Sequence, residues 1–551
     1  MALACPLGSH NHSRAPVSRT APIVLLLAVA AHSQALAPGL RLHGRSGSTT
    51  VQLLDNTGAV VHAWTGSLPS LGAVRVLPDG SLLRDVVVNT TIPLPGITGG
   101  VQRVAFDGTV LWDYRHSGAA YSSHHDLKPL PNGNVLLIVW ERKSAAQAFA
   151  AGRDPALLTG ASFYPDAIVE VQPVSPTTGV VVWEWHTWDH LVQDFDPQAA
   201  NYGDVAAHPE LLDINYPPVV LANGDWTHAN GIDYEPSHDW IVLSCRERSE
   251  ILVIDHSTTT AQAAGHTGGR WGKGGDLLYR WGNPAAYRAG AAADQRSFFQ
   301  HCPRFIPPGV PGAGNLTLFN NDYGPGVSAV FELQLPLDAQ GNFVLGPGGR
   351  YGPDAPAWSF SAPGFFSPFI SSAERLPNGN TLVCSGVQGV LFEVTPDGQV
   401  PWAVQPGGTG IFQASYVDRT LWASSDTVSV ARGGAVALEL RTGSAHAGEM
   451  YLVLGSLSGT TPGIPLGAVT LPLNQDALLR FTLGNPNLLP LQQTLGLLGA
   501  TGNASAAFLA PPRFLPLELV GQDLAFAALL VDLDTFNVTW ATNPVRVNVH
   551  P

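Results

Sequence analysis

Leu130-Pro131-Asn132-Gly133-Asn134-Val135-Leu136-Leu137-Ile138 reads as a tight turn feeding an apolar strand. Asn and Gly tolerate the positive φ that such a turn requires, and the run that follows has the β-branched character of a buried strand. The phrase recurs as Leu77-Pro78-Asp79-Gly80 before Ser81-Leu82-Leu83 and as Leu376-Pro377-Asn378-Gly379 before Asn380-Thr381-Leu382-Val383. Looser versions are Glu235-Pro236-Ser237-His238-Asp239 before Trp240-Ile241-Val242-Leu243, and Pro307-Pro308 before Asn315-Leu316-Thr317-Leu318-Phe319. A second phrase accompanies the first, a turn running into a strand that carries Trp: Asp107-Gly108 before Trp112, Thr178-Gly179 before Trp183, and Asp397-Gly398 before Trp402.

Units of roughly 40–50 residues, each holding several short strands, are the mark of a β-propeller. An open row of such units leaves strand edges bare, whereas a ring does not. About six units fit between Pro38 and Ser424 at that unit length, with five and seven left open. The expected fold is therefore all-β: a six-bladed β-propeller over residues 38–424. From Ser425 onward Lys, His and Trp become scarce, and Val428 to Arg441, Glu449 to Leu457 and Leu524 to Leu533 read as strands. Residues 425–551 are thus expected to form a β-sandwich-like accessory domain with no catalytic constellation.

Composition narrows the function. The 551-residue chain carries a net charge of −14, with 13% of residues charged and 45% hydrophobic. Such a chain is too apolar to be disordered, and too acidic for a nucleic-acid groove or a polybasic membrane patch. Residues 1–37 read as a signal peptide. Arg14 and Arg19 precede the apolar run Ala21 to Ala31, and Ala35-Leu36-Ala37 has A-x-A spacing. The expected location is secreted or in the lumen of the secretory pathway (periplasmic in a bacterium), with no membrane span after cleavage. Sequons at Asn89, Asn315, Asn503 and Asn537 permit glycosylation on a eukaryotic route. Cys245, Cys302 and Cys384 allow at most one disulfide.

Equivalent positions of different blades face one another across a propeller's channel. Six residues before each turn proline stand His125, Asn230, His301, Ser371 and Gly72. His228 lies two residues before Asn230, so period-2 alternation puts the two on one face, and Arg246 ends the next strand. Two or three His, an Arg and an Asn aimed into one channel make a pocket for an oxyanion. No resident metal or cofactor is expected, because the cluster brings an Arg and no carboxylate beyond Asp126. Two other segments stand out. His186, Trp188, Asp189, His190, Asp194, Asp196, Asp204 and His208 form an insertion that reads as a solvated loop, with a lid or a calcium loop as alternatives. Gly268 to Gly275 lacks P-loop spacing and reads as a flexible loop near the mouth, where Arg270 or Lys273 could steer anions.

Asp225-Trp226-Thr227-His228-Ala229-Asn230-Gly231-Ile232-Asp233-Tyr234, then Ile241 to Arg246, then Asp276 to Pro284, resemble the PAPS-independent arylsulfotransferases of bacterial type. His124-His125-Asp126 and Gln300-His301 extend the resemblance, which covers most of residues 45–405. It implies a six-bladed propeller, His301 as the nucleophile that carries a sulfuryl group, and His228, Asn230 and Arg246 as sulfate-binding residues. It makes His125 the remaining motif histidine, with His124 as runner-up. The implied partners are a small phenolic sulfate donor and a phenolic acceptor. Where the family usually has Gln-His-Asp, Cys302 follows His301 here. The family's domain before the propeller is missing and the module after it differs, so the usual dimer surfaces do not carry over. A catalytically silent ligand-binding propeller and an aryl-sulfate hydrolase remain as alternative readings.

Overall fold

The computed structural model describes residues 36–218 and 224–551; the signal-peptide reading therefore lies almost wholly outside the described residues. With 45% strand and 8% helix the chain is all-β. Among the described residues no helix is long and apolar enough to cross a membrane.

The repeated phrases fall where hairpin chemistry requires them. In each, the residue after Gly donates its N–H to the Asx side chain two positions back: Ser81 to Asp79, Asn134 to Asn132 and Asn380 to Asn378, at 3.0, 3.0 and 3.1 Å. Gly80, Gly133 and Gly379 take φ of +89°, +87° and +87°, which a side chain rarely adopts. Each turn joins the first and second strands of a four-stranded antiparallel sheet, and the Trp phrases join the third and fourth.

Six such sheets follow in chain order. Their first strands are Ile411–Val417, Val74–Val76, Tyr121–Pro129, Ala229–Glu235, His301–Phe305 and Ser372–Arg375, and each touches the next in cyclic order. The ring closes by pairing distant parts of the chain: Ile411–Val417 lies antiparallel to Leu40–Arg45, so the first sheet is completed by a late strand. Apolar clusters between sheets supply the cohesion, for example Ile138, Ile168 and Trp185 against Ile232, Leu243 and Leu252. Cys245, Cys302 and Cys384 are buried free thiols.

One contact between neighbouring sheets is pH-sensitive. His256 Nδ1 lies 2.7 Å from Asp239 Oδ1 and its Nε2 2.9 Å from Glu170 Oε2. Burial opposes its charge, but the two carboxylates outweigh burial and raise the imidazole to about 9. A raised folded-state pKa stabilises fully below about 6.5 and is lost as pH climbs through about 9. His256→Gln should therefore lower stability by on the order of 3 kcal/mol at pH 6 and by far less at pH 10. Urea unfolding at the two pH values measures this.

Beyond the ring, Gly434–Arg441 pairs with Leu421–Ala423 and Asn503–Ala510, while Asp523–Val531 pairs with Met450–Ser456 and Val545–His550. The two sheets share a core that includes Val436, Leu438, Phe508, Phe526 and Val547. Leu421–Ala423 bonds to Gly434–Arg441, while Trp422 packs among ring residues that include Leu42, Trp64 and Phe106. The run from Val428 to Arg441 is two strands, broken where Gly433 turns at φ +71°.

Candidate active site

Three of the ring's first strands are irregular where the predicted residues sit. The ladder slips between His124 and Leu127, between Ala229 and Gly231, and between His301 and Arg304. His125, His228 and Cys302 take φ of +52°, +47° and +53°. Such bulges re-aim side chains, so simple alternation does not hold here. Asn230 is the displaced residue of its strand. Its Nδ2 donates to the Gln300 carbonyl at 2.8 Å, so the amide grips the chain beside His301.

His301 is 3% exposed. Its Nδ1 lies 2.8 Å from Asn321 Oδ1 and 3.1 Å from the Phe299 carbonyl, both acceptors, so Nδ1 carries the proton. Nε2 is left with its lone pair, which accepts the Ile370 N–H at 3.1 Å. Burial, then the Arg246 charge, hold this imidazole at about 3, with His228 adding to the effect, so it is neutral at ordinary pH.

His228 has the opposite character. Its Nδ1 sits 2.5 Å from Asp225 Oδ2. Burial works against protonation, yet the Asp225 charge and hydrogen bond prevail and raise its pKa above the usual histidine value. Its ring centroid is 4.6 Å from that of His125. Burial and the nearby charges of His228, His124, His301 and Arg246 drive the His125 pKa well below the ordinary value. Arg246 lies over the Phe299 ring at 4.7 Å and pairs with Glu247; its N–H bonds the His228 carbonyl at 3.1 Å. One neutral and one cation-prone imidazole thus stand beside a guanidinium, and such divergence separates a nucleophile or base from an acid.

His124 and Ser371 are brought to the same place with their polar atoms already engaged. The His124 ring stacks on Trp140 at 3.6 Å, its Nε2 is 2.8 Å from Asp166 Oδ1, and its Nδ1 is 2.8 Å from His125 Nδ1. Ser371 Oγ bonds Ser367 Oγ at 2.8 Å and accepts the Gly386 N–H at 2.9 Å. Ile370 and Ser371 have φ of +54° and +90°. For a β-branched residue such a conformation costs on the order of 1–3 kcal/mol and persists only where its surroundings impose it.

Cys302 belongs to a polar network inside the channel. Its Sγ lies 3.2 Å from Gln413 Oε1, which also accepts from Arg304 Nη2 at 2.7 Å. Gln413 Nε2 in turn donates to Asp126 Oδ1 at 2.9 Å, and Arg75 reaches the same oxygen at 3.1 Å. Asp126 is therefore taken by a guanidinium and an amide. The residue after His301 packs into this network and makes no hydrogen bond to the His301 imidazole.

Sequence reasoning missed Asn321, Asp225 and Asp166. Asp225, three residues before His228, was legible as a local acid; Asn321 and Asp166 reach their histidines across strand pairings. The insertion is more packed than a solvated loop, since His190 is fully buried with its nitrogens on Asp276 Oδ1 and the Ala263 carbonyl at 2.9 and 2.8 Å. His190, His266 and Asp276 place ligand atoms within 4.8 Å of one another, but both His190 nitrogens are spent on protein acceptors. Beside them lies a cavity of about 490 Å³ lined by Trp188, Tyr202, His208 and His266. Arg270 is not at the mouth: it donates to the Ser237 carbonyl at 2.8 Å, at the hairpin end of the strands whose other ends carry His228 and Arg246.

The family profile described as Arylsulfotransferase (ASST) matches residues 46–332, a stretch that includes His124, His125, His228, Asn230, Arg246 and His301. No curated protein sequence matches the chain. Solved structures resemble it distantly. The periplasmic gluconolactonase PpgL of Pseudomonas aeruginosa is 13% identical over 69% of this chain and 99% of its own, with a TM-score of 0.36. Apo AztD of Citrobacter koseri is 11% identical over 74% and 91%, with a TM-score of 0.30.

Proposed function

The chain belongs to the arylsulfotransferase family, and from that premise we propose that it moves a sulfuryl group from an aryl sulfate to a phenol through a sulfohistidine at His301, without PAPS. We read the six sheets as a six-bladed propeller and the C-terminal sheets as a β-sandwich-like accessory module. The observation that carries the reaction is a buried His301 whose proton is held on Nδ1, leaving the Nε2 pair for attack.

The lone pair of Nε2 attacks sulfur, the N–S bond forms, and the S–O bond to the aryl group breaks. The departing phenolate keeps that electron pair and takes a proton from His228, which Asp225 keeps protonated for this purpose. Negative charge gathering on the sulfuryl oxygens meets Arg246 and His228, the kind of preorganised field that gives the largest single contribution in such sites. In the second half, an acceptor phenol attacks the sulfur, its proton passes to neutral His228 or to His125, and the N–S pair returns to Nε2. Asn230 serves by holding the Gln300 carbonyl; Ser371 holds the Ser367 hydroxyl and the Gly386 N–H beside Ile370; His124 holds His125.

A radiolabelled para-nitrophenyl sulfate tests the scheme. One equivalent of phenol should be released in a burst with label retained on His301, and an added phenol should discharge it and accelerate turnover. Indifference to the acceptor would indicate hydrolysis, and a protein labelled once without turnover would indicate the silent binder.

Gly96 makes a separate prediction. It has φ +90°, and a Cβ there would lie 2.0 Å from His125 Cε1, while His124 Nδ1 holds the ring's Nδ1 at 2.8 Å. Gly96→Ala should displace His125 and slow turnover on the order of 100-fold, the cost of misplacing a group by about an ångström. Steady-state kinetics measure it. An export route would agree with exposed sequons at Asn89 and Asn537; Asn315 is half-buried and bonded to Glu332.

A further inference from the structure

Asn321 is a buried amide on the strand beside His301, and its three side-chain hydrogen bonds run in two directions. Its Oδ1 accepts from His301 Nδ1 at 2.8 Å. Its Nδ2 donates to the carbonyls of Ser367 and Ile370, both at 2.8 Å. Because both amide hydrogens are committed to carbonyls, the side chain cannot turn over and present nitrogen to the imidazole. The Ile370 peptide is held from both sides: its carbonyl by Asn321, its N–H against His301 Nε2 at 3.1 Å. Ser367 and Ser371 brace the same turn through a 2.8 Å hydroxyl contact.

We propose that Asn321 is the positioning residue of the reaction, fixing the proton of His301 on Nδ1 and tethering the Ser367 to Ser371 strap whose Ile370 N–H meets the reacting nitrogen. This rests on His301 being the nucleophile. In the resting protein the Ile370 N–H occupies the Nε2 lone pair. When that pair becomes the N–S bond, Nε2 can accept no longer, and the nearest new acceptors are the oxygens of the group it has just received. The N–H is thereby passed from nucleophile to sulfuryl oxygen without a change of strap, and it returns when the acceptor removes the group. No proton leaves Nδ1 at any point, so the imidazole stays a neutral nucleophile and, once sulfurylated, keeps its hydrogen bond to Asn321.

Nitrogen NMR of the histidine-labelled full chain, with the His301 signals identified by their loss in His301→Gln, reads the tautomer without perturbing Asn321. A pyrrole-type Nδ1 and a pyridine-type Nε2 are expected; the reverse assignment overturns the proposal. Burst kinetics with para-nitrophenyl sulfate then read its consequence. Asn321→Ala should slow the burst on the order of 100-fold through loss of alignment, with donor affinity unchanged. Asn321→Asp keeps the acceptor at Nδ1 but adds a negative charge facing an imidazole that Arg246, His228 and His125 already surround. It should move the acidic limb of the burst upward by roughly one pH unit or more. If the parent labels His301 while both variants keep its burst rate and acidic limb, Asn321 is merely structural and the proposal fails. If the parent never labels His301, the transfer reaction fails instead, and the tautomer measurement alone still judges whether Asn321 orients the ring.

Discussion

Replacing His301 by glutamine should abolish both the phenol burst and the protein-bound label, with a loss of more than about 1,000-fold in turnover, as for removal of a nucleophile that no neighbour can replace. Glutamine keeps a polar side chain of similar reach, so the channel need not collapse around it. His125 and His228 cannot stand in. The Nδ1 of each is committed, to His124 and Asp225, and each projects from a different sheet. Circular dichroism and thermal melting of His301→Gln should match the parent. Retention of the burst in a folded His301→Gln protein would remove the reaction proposed here.

The second large effect concerns the acid. The parent burst should keep its rate down to about pH 4, because His301 loses its lone pair to a proton only near pH 3. It should fall on the alkaline side above pH 6.5, where His228 finally gives up a proton held by Asp225. Asp225→Asn removes the carboxylate's charge, leaving burial and Arg246, which lower the His228 pKa, opposed by the smaller pull of Glu247. The alkaline limb then moves to lower pH. Near pH 7 the variant lacks its charged donor, a loss on the order of 3 kcal/mol or about 100-fold in burst rate. Below that pH part of the rate returns as His228 protonates. A limb that stays in place would show that Asp225 does not control the acid.

The turn phrases made the architecture legible because Pro-Asx-Gly chemistry is local. The same Asx bond to the second residue on recurs at Asp79, Asn132 and Asn378. Counting six residues back from Pro131 and Pro307 reached His125 and His301, since each stands at the same step from the turn that follows its strand. It did not foresee the bulge at Asn230, because a bulge is set by how a strand meets its partner and not by its own alternation. Asn321 stayed invisible for a related reason. It stands in the strand Leu316–Gly324 between Asn320 and Asp322, and its role depends on that strand pairing with the one His301 begins. Cys302, a departure in sequence, is accommodated because Gln413 and Arg304 give its thiol a place in the channel network.

The late strand that seals the first sheet has a bearing on biosynthesis. His125, His228 and His301 all leave the ribosome well before Ile411–Val417, which carries Gln413, the amide that ties Asp126 to Arg304 across the channel. Until that strand emerges, the translated portion holds every proposed reacting group but lacks the partner that completes the first sheet. A chain stalled near residue 400 should therefore be inert toward aryl sulfates.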